Sequence, residues 1–179
     1  FEDPDVRTYK KAKKFLNKKK INTKLIKSKN FKNFYSSYYF NRKYKLPYIS
    51  AKIAISKDYY SINKISKWIT SQYSQKIAHL LRSKYDCIFS TSKSINKDNS
   101  LLNCRIDGLD NSKPDLFIID LNLRLKKNLL LNKIINKRKT FLITKDKKKE
   151  KIKFFKNIDF KIIYIKSLKS KNDFISLFR

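Results

Sequence analysis

Three stretches of the chain carry residue types that could hold a ligand. Ser66-Lys67-Trp68-Ile69-Thr70 feeds a helix N-terminus, where free backbone N–H groups favour an anion and an indole can stack on a flat ring. Ser90-Thr91-Ser92-Lys93-Ser94 runs on to Asp98 and Arg105, so hydroxyls and a guanidinium directly follow a strand. That stretch has none of the glycines that let a phosphate loop bring its backbone up to the oxygens. Asp120 closes an apolar run, placed either to orient a hydroxyl or simply to cap the strand. Each also has an ordinary reading: a capped helix with one packed Trp, a polar turn, a strand cap. Nucleophile chemistry finds less support. His79, the only histidine, sits mid-helix beside an apolar stripe with no Ser or Cys elbow nearby, and reads as a structural residue. Cys87 and Cys104 are the only cysteines, too few for a zinc site or a disulfide framework.

The elements that must position these groups alternate between strands and helices. Asp115–Asp120, Thr140–Thr144 and Phe160–Ile165 are short continuous apolar runs, of the kind that suits strands buried on both faces. Tyr48–Ser56 has the same β-branched density and predicts a buried strand; Asp86–Phe89 predicts a short one. Thr70 or Ser71 is placed to cap a helix ending near Ser83, with Tyr73, Ile77, Leu80 and Leu81 on one face. A helix from about Lys147 to Asn157 turns Ile152, Phe155 and Ile158 inward, and another opens near Asn172. The order predicts an α/β fold with a mostly parallel sheet covered on both faces. Ahead of it, residues 6–20 read as a short helix. Residues 30–42 read as another, whose stripe of Phe31, Phe34, Tyr35, Tyr38 and Tyr39 predicts core contacts. Pro47 then breaks the pattern and places a domain boundary near residue 45.

Composition bounds the function classes. The 179 residues carry 45 Lys+Arg against 14 Asp+Glu, a formal charge of +31, yet 41% are hydrophobic, which argues against a disordered basic tail. The length suits one core, or one domain with a fragment of another. The excess is nearly all Lys, with seven Arg, and is spread along every segment. Such a surface binds polyanions nonspecifically and loses them as salt rises. A dedicated nucleic-acid or ribosome-associated binder, the rival reading, would gather Arg and aromatics into a patch. No apolar run reaches the roughly 18 residues of a membrane span, and none near the N-terminus resembles a signal peptide, so a cytoplasmic protein without membrane contact is expected. The chain opens on Phe and contains no Met, as expected of a fragment or a processed product.

Taken in order, several segments resemble one family. They are Pro47-Tyr48-Ile49, Ile53-Ala54-Ile55-Ser56-Lys57-Asp58, Ser66-Lys67-Trp68-Ile69-Thr70, His79-Leu80-Leu81-Arg82-Ser83-Lys84-Tyr85-Asp86-Cys87-Ile88, Ser94 to Asp98, Leu102-Asn103-Cys104-Arg105 and Phe117 to Leu125. Together they resemble the reductase domain of the bifunctional riboflavin-biosynthesis deaminase/reductase. Glu2-Asp3-Pro4-Asp5-Val6-Arg7 is similar to the segment that follows the zinc-binding half of that family's deaminase domain. Residues 1–45 would then be the deaminase tail and residues 46–179 a reductase domain incomplete at its C-terminus. The resemblance implies a fold similar to dihydrofolate reductase and NADPH-dependent reduction of 5-amino-6-(5-phosphoribosylamino)uracil, a phosphorylated pyrimidine. It implies that Ser66, Arg82, Leu102 and Arg105 contact substrate, the two arginines through its phosphate. Trp68, Ser94 and Asp98, with backbone near Ile55, would contact the cofactor. Asp58 and bound water are the candidates for the proton source, and the family allows a homodimer.

The departures carry expectations of their own. Asp58-Tyr59 stands where the family usually has Asp-Gly, and Ser90-Thr91-Ser92 where a strand normally runs into Gly. A positive φ at either place would strain the chain by about 1–2 kcal/mol and loosen the cofactor pocket. The family's Glu-Gly-Gly turn, which meets the cofactor's pyrophosphate, is absent, as is the deaminase zinc motif. The chain is therefore expected not to deaminate, and the family's zinc would belong to a part not present here.

Overall fold

The computed structural model describes residues 3, 5, 7–61, 68–109 and 114–178. The chain divides into two compact units, residues 1–52 with 169–179, and residues 53–168.

The first unit is helical: α1 (Lys11–Lys18), α2 (Lys29–Phe34) and α3 (Ser36–Tyr44) precede the boundary, and a helix over Lys171–Leu177 follows it. The helix expected over residues 6–20 starts only after Lys10, whose backbone is left-handed (φ 55°). The one expected over 30–42 is split at Tyr35. Its aromatic stripe was expected in a core, but Phe31, Phe34, Tyr35 and Tyr38 are all exposed, Phe34 by 79%; the break at Tyr35 divides the face they would have shared. The N-terminal segment is tied to α3 by buried Asp5, whose carboxylate takes Arg7 and Arg42 at 2.6 Å each. The Arg7 hydrogen bonds hold that carboxyl well below its ordinary range. At Lys171–Leu177 a capping box sets the start: Ser170 Oγ accepts the N–H of Asp173, and the Asp173 carboxylate accepts the N–H of Ser170.

The second unit is α/β. Its elements are α4 (Gln72–Ser83), β1 (Cys87–Thr91), α5 (Ser92–Asp98), β2 (Asp115–Ile119), a 3-10 helix (Leu130–Lys137), β3 (Thr140–Thr144), α6 (Lys149–Asn157) and β4 (Phe160–Tyr164). The helix at Lys171–Leu177 of the first unit is α7 in chain order. All four strands are parallel, in the order β1-β2-β3-β4. The strands over 86–89, 115–120, 140–144 and 160–165 therefore stand where the apolar runs placed them. The helix capped by Ser71 is also present, with the Ser71 hydroxyl accepting the N–H of Ser74 at 3.3 Å. The 3-10 helix is not among the elements expected from the sequence.

The two faces of the sheet are not buried alike. When strand order follows chain order and crossovers share one hand, every connection falls on the same face. Accordingly Ile95 of α5, Leu131 and Ile135 of the 3-10 helix, and Ile152 and Phe155 of α6 pack with Leu116, Ile118 and Leu142 in one cluster. On the opposite face Phe89, Phe117 and Phe141 stack across neighbouring strands at 4.7 and 4.4 Å, and Phe89 stays 36% exposed. Burial on both faces, expected from the continuous apolar runs, is thus complete on one face only within this unit.

The strand expected over Tyr48–Ser56 does not form. Ile49, Ile53 and Ile55 are 62%, 74% and 44% exposed, and the segment's backbone bonds close a turn, Ser56 N–H to Tyr60 O and Tyr59 N–H to Ser56 O. β propensity reports how well a side chain fits a pleated, half-buried surface, and it builds no strand without a paired edge.

Candidate functional site

The hydroxyl-rich stretch Ser90–Ser94, expected as a turn, is instead the end of β1 running straight into α5. Thr91 caps that helix, its hydroxyl accepting the N–H of Ser94 at 3.2 Å. Neither Ser90, Thr91 nor Ser92 has a positive φ, so the strain expected from a lost glycine is absent there. At Tyr59 it is present: φ is +65°, in a region that L-residues other than Asn and Asp seldom occupy.

Asp120 fulfils both of its sequence readings. Its carboxylate, 3% exposed, accepts the Ser92 hydroxyl at 2.8 Å and the N–H groups of Arg124 and Leu125 at 2.8 and 2.7 Å. One side chain thus orients a hydroxyl at the start of α5 and shapes the turn after β2. Asn96 adds a second tie, donating to Arg124 O at 2.8 Å and accepting the N–H of Lys126 at 2.9 Å. On the helix held in this way, Ser94 and Asp98 are exposed and one turn apart.

The densest polar cluster lies between α4 and residues 101–105. Arg82 reaches from α4 to Asn103 O at 3.0 Å. One turn earlier, His79 Nδ1 meets the Arg105 backbone N–H at 3.1 Å and Arg82 Nη1 at 3.3 Å. Nδ1 also lies 3.1 Å from Asn103 O, so two donors and one carbonyl converge on a single ring nitrogen, and the tautomer is set by which of them it pairs with. Burial, and then the charges of Arg82 and Arg105, push the His79 pKa below its ordinary value. The Arg105 guanidinium lies on the exposed side, 3.4 Å from His79 Nε2.

From the other side, Arg138 closes the 3-10 helix and donates to Leu102 O at 2.8 Å and to Leu101 O. A cavity of about 550 Å³ opens here, lined by Asn103, Cys104, Arg105 and Gly108 together with Lys137 and Arg138. Among the described residues Arg82, Arg105 and Arg138 form no ion pair with a carboxylate. Three guanidinium groups around one short segment, with no paired counter-charge, suit an anionic ligand.

Of the residues expected at the substrate, Arg82, Leu102 and Arg105 are gathered in this cluster, and Ser66 lies outside the described residues. Of those expected at the cofactor, Ser94 and Asp98 share α5. Ile55 and Trp68 lie in separate exposed segments, 44% and 56% accessible. His79 and Arg138 were not singled out as ligand-site residues. The available signal was the rarity of Arg in a lysine-dominated chain, since a planar fork is kept where two acceptors must be met at once. Among the described residues no group of three His, Cys, Asp or Glu could hold a metal ion. Nor is any helix among them long and apolar enough to cross a membrane.

Residues 47–174 match a family model described as the RibD C-terminal domain. Among curated proteins nothing matches. Of solved structures, Acinetobacter baumannii RibD aligns with a TM-score of 0.73 at 17% identity, over 98% of this chain and 49% of that one. A Thermotoga maritima diaminohydroxyphosphoribosylaminopyrimidine deaminase/5-amino-6-(5-phosphoribosylamino)uracil reductase aligns with a TM-score of 0.69 at 19% identity, over 92% of this chain and 52% of that one. The chain thus spans about half the length of the structures it matches, and shares their fold.

Proposed function

Since the chain belongs to the RibD C-terminal domain family, we propose that it is the reductase part of a riboflavin-biosynthesis deaminase/reductase. In this reading it reduces 5-amino-6-(5-phosphoribosylamino)uracil with NADPH, residues 1–45 are the tail of a deaminase domain, and residues 46–179 belong to the reductase. The observation that carries the reading is the unpaired guanidinium pair. Arg82 is anchored on Asn103 O while Arg105 stands exposed beside His79, and neither is neutralised by a carboxylate among the described residues. Both guanidinium groups are placed to make charge-assisted hydrogen bonds to the substrate phosphate. Leu102 and Ser66 would complete the substrate contacts.

The side chains present fit the cofactor in type. An exposed indole at Trp68 offers a stacking face, and the exposed Ser94 hydroxyl and Asp98 carboxylate offer polar contacts from one helix. NADPH, when bound, supplies the hydride that reaches C1 of the opened ribose. The chain's own task is to hold the two partners in register and exclude water between them. Asp58, in the exposed turn after Ser56, stays the side-chain candidate for the proton source. A cytoplasmic location and a homodimer accord with this reading.

The test is consumption of NADPH by the chain in the presence of the phosphorylated substrate. Wild type should consume it, Arg82→Ala and Arg105→Ala should lose most of that rate through a raised KM, and the unphosphorylated analogue should be a poor substrate. Equal rates in all three proteins would overturn the assignment. The charge of +31 favours a second reading, a binder of nucleic acid. It predicts binding that any polyanion reproduces and that collapses as salt rises.

A further inference from the structure

We propose that Arg138 is a positioning residue for the phosphate end of the site, clamping Leu101 and Leu102 so that Leu102 and Arg105 are presented to the ligand in one geometry. The inference rests on reading that cluster as the phosphate receptor. Three consecutive carbonyls of the segment are taken by two guanidinium groups. Leu101 O and Leu102 O accept from Arg138, and Asn103 O accepts from Arg82 at 3.0 Å. The same Nη1 of Arg138 lies 3.5 Å from Pro114 O, just ahead of β2, so one side chain spans the end of the 3-10 helix, the segment and the entry to the sheet.

The clamp has a conformation to hold. Leu102 has φ +51°, a left-handed backbone that strains a bulky residue and persists only where its surroundings impose it. The carbonyls on both sides of its amide-bearing Cα, those of Leu101 and Leu102, are the two that Arg138 fixes. From Leu102 the path to the ligand side is short. Asn103 O is held by Arg82, and the N–H of Arg105 is held by His79 at 3.1 Å. Lysine, the cation this sequence otherwise prefers, cannot fork to two adjacent carbonyls in one plane. Burial first, and the charge of Arg82 second, bring the Arg138 pKa to about 10, with Asp115 acting the other way. It therefore stays protonated at neutral pH and adds to the positive potential over the cavity.

Ribose 5-phosphate is the probe, titrated calorimetrically into the wild-type chain and into Arg105→Ala, Arg138→Met and Arg138→Lys, each also melted thermally. The expected order is tight binding by wild type and loss of binding by Arg105→Ala. Arg138→Met should be weakened about tenfold, the size of one charge-assisted hydrogen bond. Arg138→Lys should recover only part of that loss although its melting temperature matches that of Arg138→Met. If Arg138→Met does not fold, Arg138→Lys alone decides: weakened binding supports the clamp and wild-type binding overturns it. Wild-type affinity in both Arg138 variants, with Arg105→Ala inactive, overturns the clamp and leaves the phosphate site standing. Binding unaffected by Arg105→Ala overturns the phosphate site, and the clamp with it.

Discussion

His79 Nδ1 accepts the backbone N–H of Arg105 at 3.1 Å, so an imidazole on α4 fixes the start of a residue whose guanidinium is exposed. The bond requires an unprotonated Nδ1. Burial, and then the flanking charges of Arg82 and Arg105, hold the imidazole below its ordinary value and so favour the neutral ring, with the contact to Asn103 O acting the other way.

A pH dependence follows with a definite sign. The unfolded chain takes up its histidine proton first as pH falls, so the stability tied to neutral His79 is complete above the ordinary value. It is lost as pH drops from there through the folded value. Melting temperatures measured from about pH 7.5 down to about pH 5.5 should fall for wild type and fall less for His79→Gln. Parallel curves for the two proteins would remove His79 from the explanation.

Tyr59 offers a gain rather than a loss. At φ +65° its side chain is strained, and glycine occupies that region freely, so Tyr59→Gly should stabilise the chain by about 1 kcal/mol after the greater flexibility of the unfolded glycine is offset. Urea denaturation of the two proteins measures the difference. A destabilised variant would mean that the Tyr59 ring, 83% exposed, contributes more than its backbone costs.

Asp120 predicts the opposite outcome. The carboxamide of Asp120→Asn has one oxygen where the carboxylate uses two, against one hydroxyl and two N–H donors. At least one buried donor then loses its acceptor or faces an NH2 group, a loss of about 2–4 kcal/mol. Thermal melting should show it, and hydrogen exchange should be faster at Arg124 and Leu125 than elsewhere. A variant as stable as wild type would show that the turn after β2 is held by other bonds.

The parts of the fold that could be read from the sequence are those whose signal is local and sufficient. Continuous runs such as Thr140–Thr144 carry their strand identity with them, because both neighbours, β2 and β4, are present to pair. Ile53 and Ile55 carry the same signal and remain exposed, because pairing is a property of the neighbour and not of the run. The 3-10 helix at Leu130–Lys137 does carry a helical pattern, its buried Leu131 and Ile135 standing four residues apart. The family resemblance names Arg82, Leu102 and Arg105 as substrate contacts, and the fold brings the three together. His79 reads as an ordinary helix residue until residues 101–105 fold against it. Arg138 sits in the basic run Asn136-Lys137-Arg138-Lys139, where nothing in the local sequence distinguishes a clamp from a solvated cation. Of the six arginines among the described residues, Arg7, Arg42, Arg82, Arg105 and Arg138 make contacts within the chain through their guanidinium groups, and Arg124 does so through its backbone. In a chain whose cations are mostly lysine, arginine marks the positions where geometry matters.

The proposed reading places NADPH beside Trp68, the only tryptophan of the sequence. Trp68 is 56% exposed just ahead of α4, so its fluorescence can be titrated with NADPH, with NADH and with an unrelated polyanion at moderate and raised salt. Saturable quenching that favours NADPH and survives added salt is the predicted result. Quenching that NADH and the polyanion reproduce and that salt abolishes, or no quenching at all, would contradict the assignment.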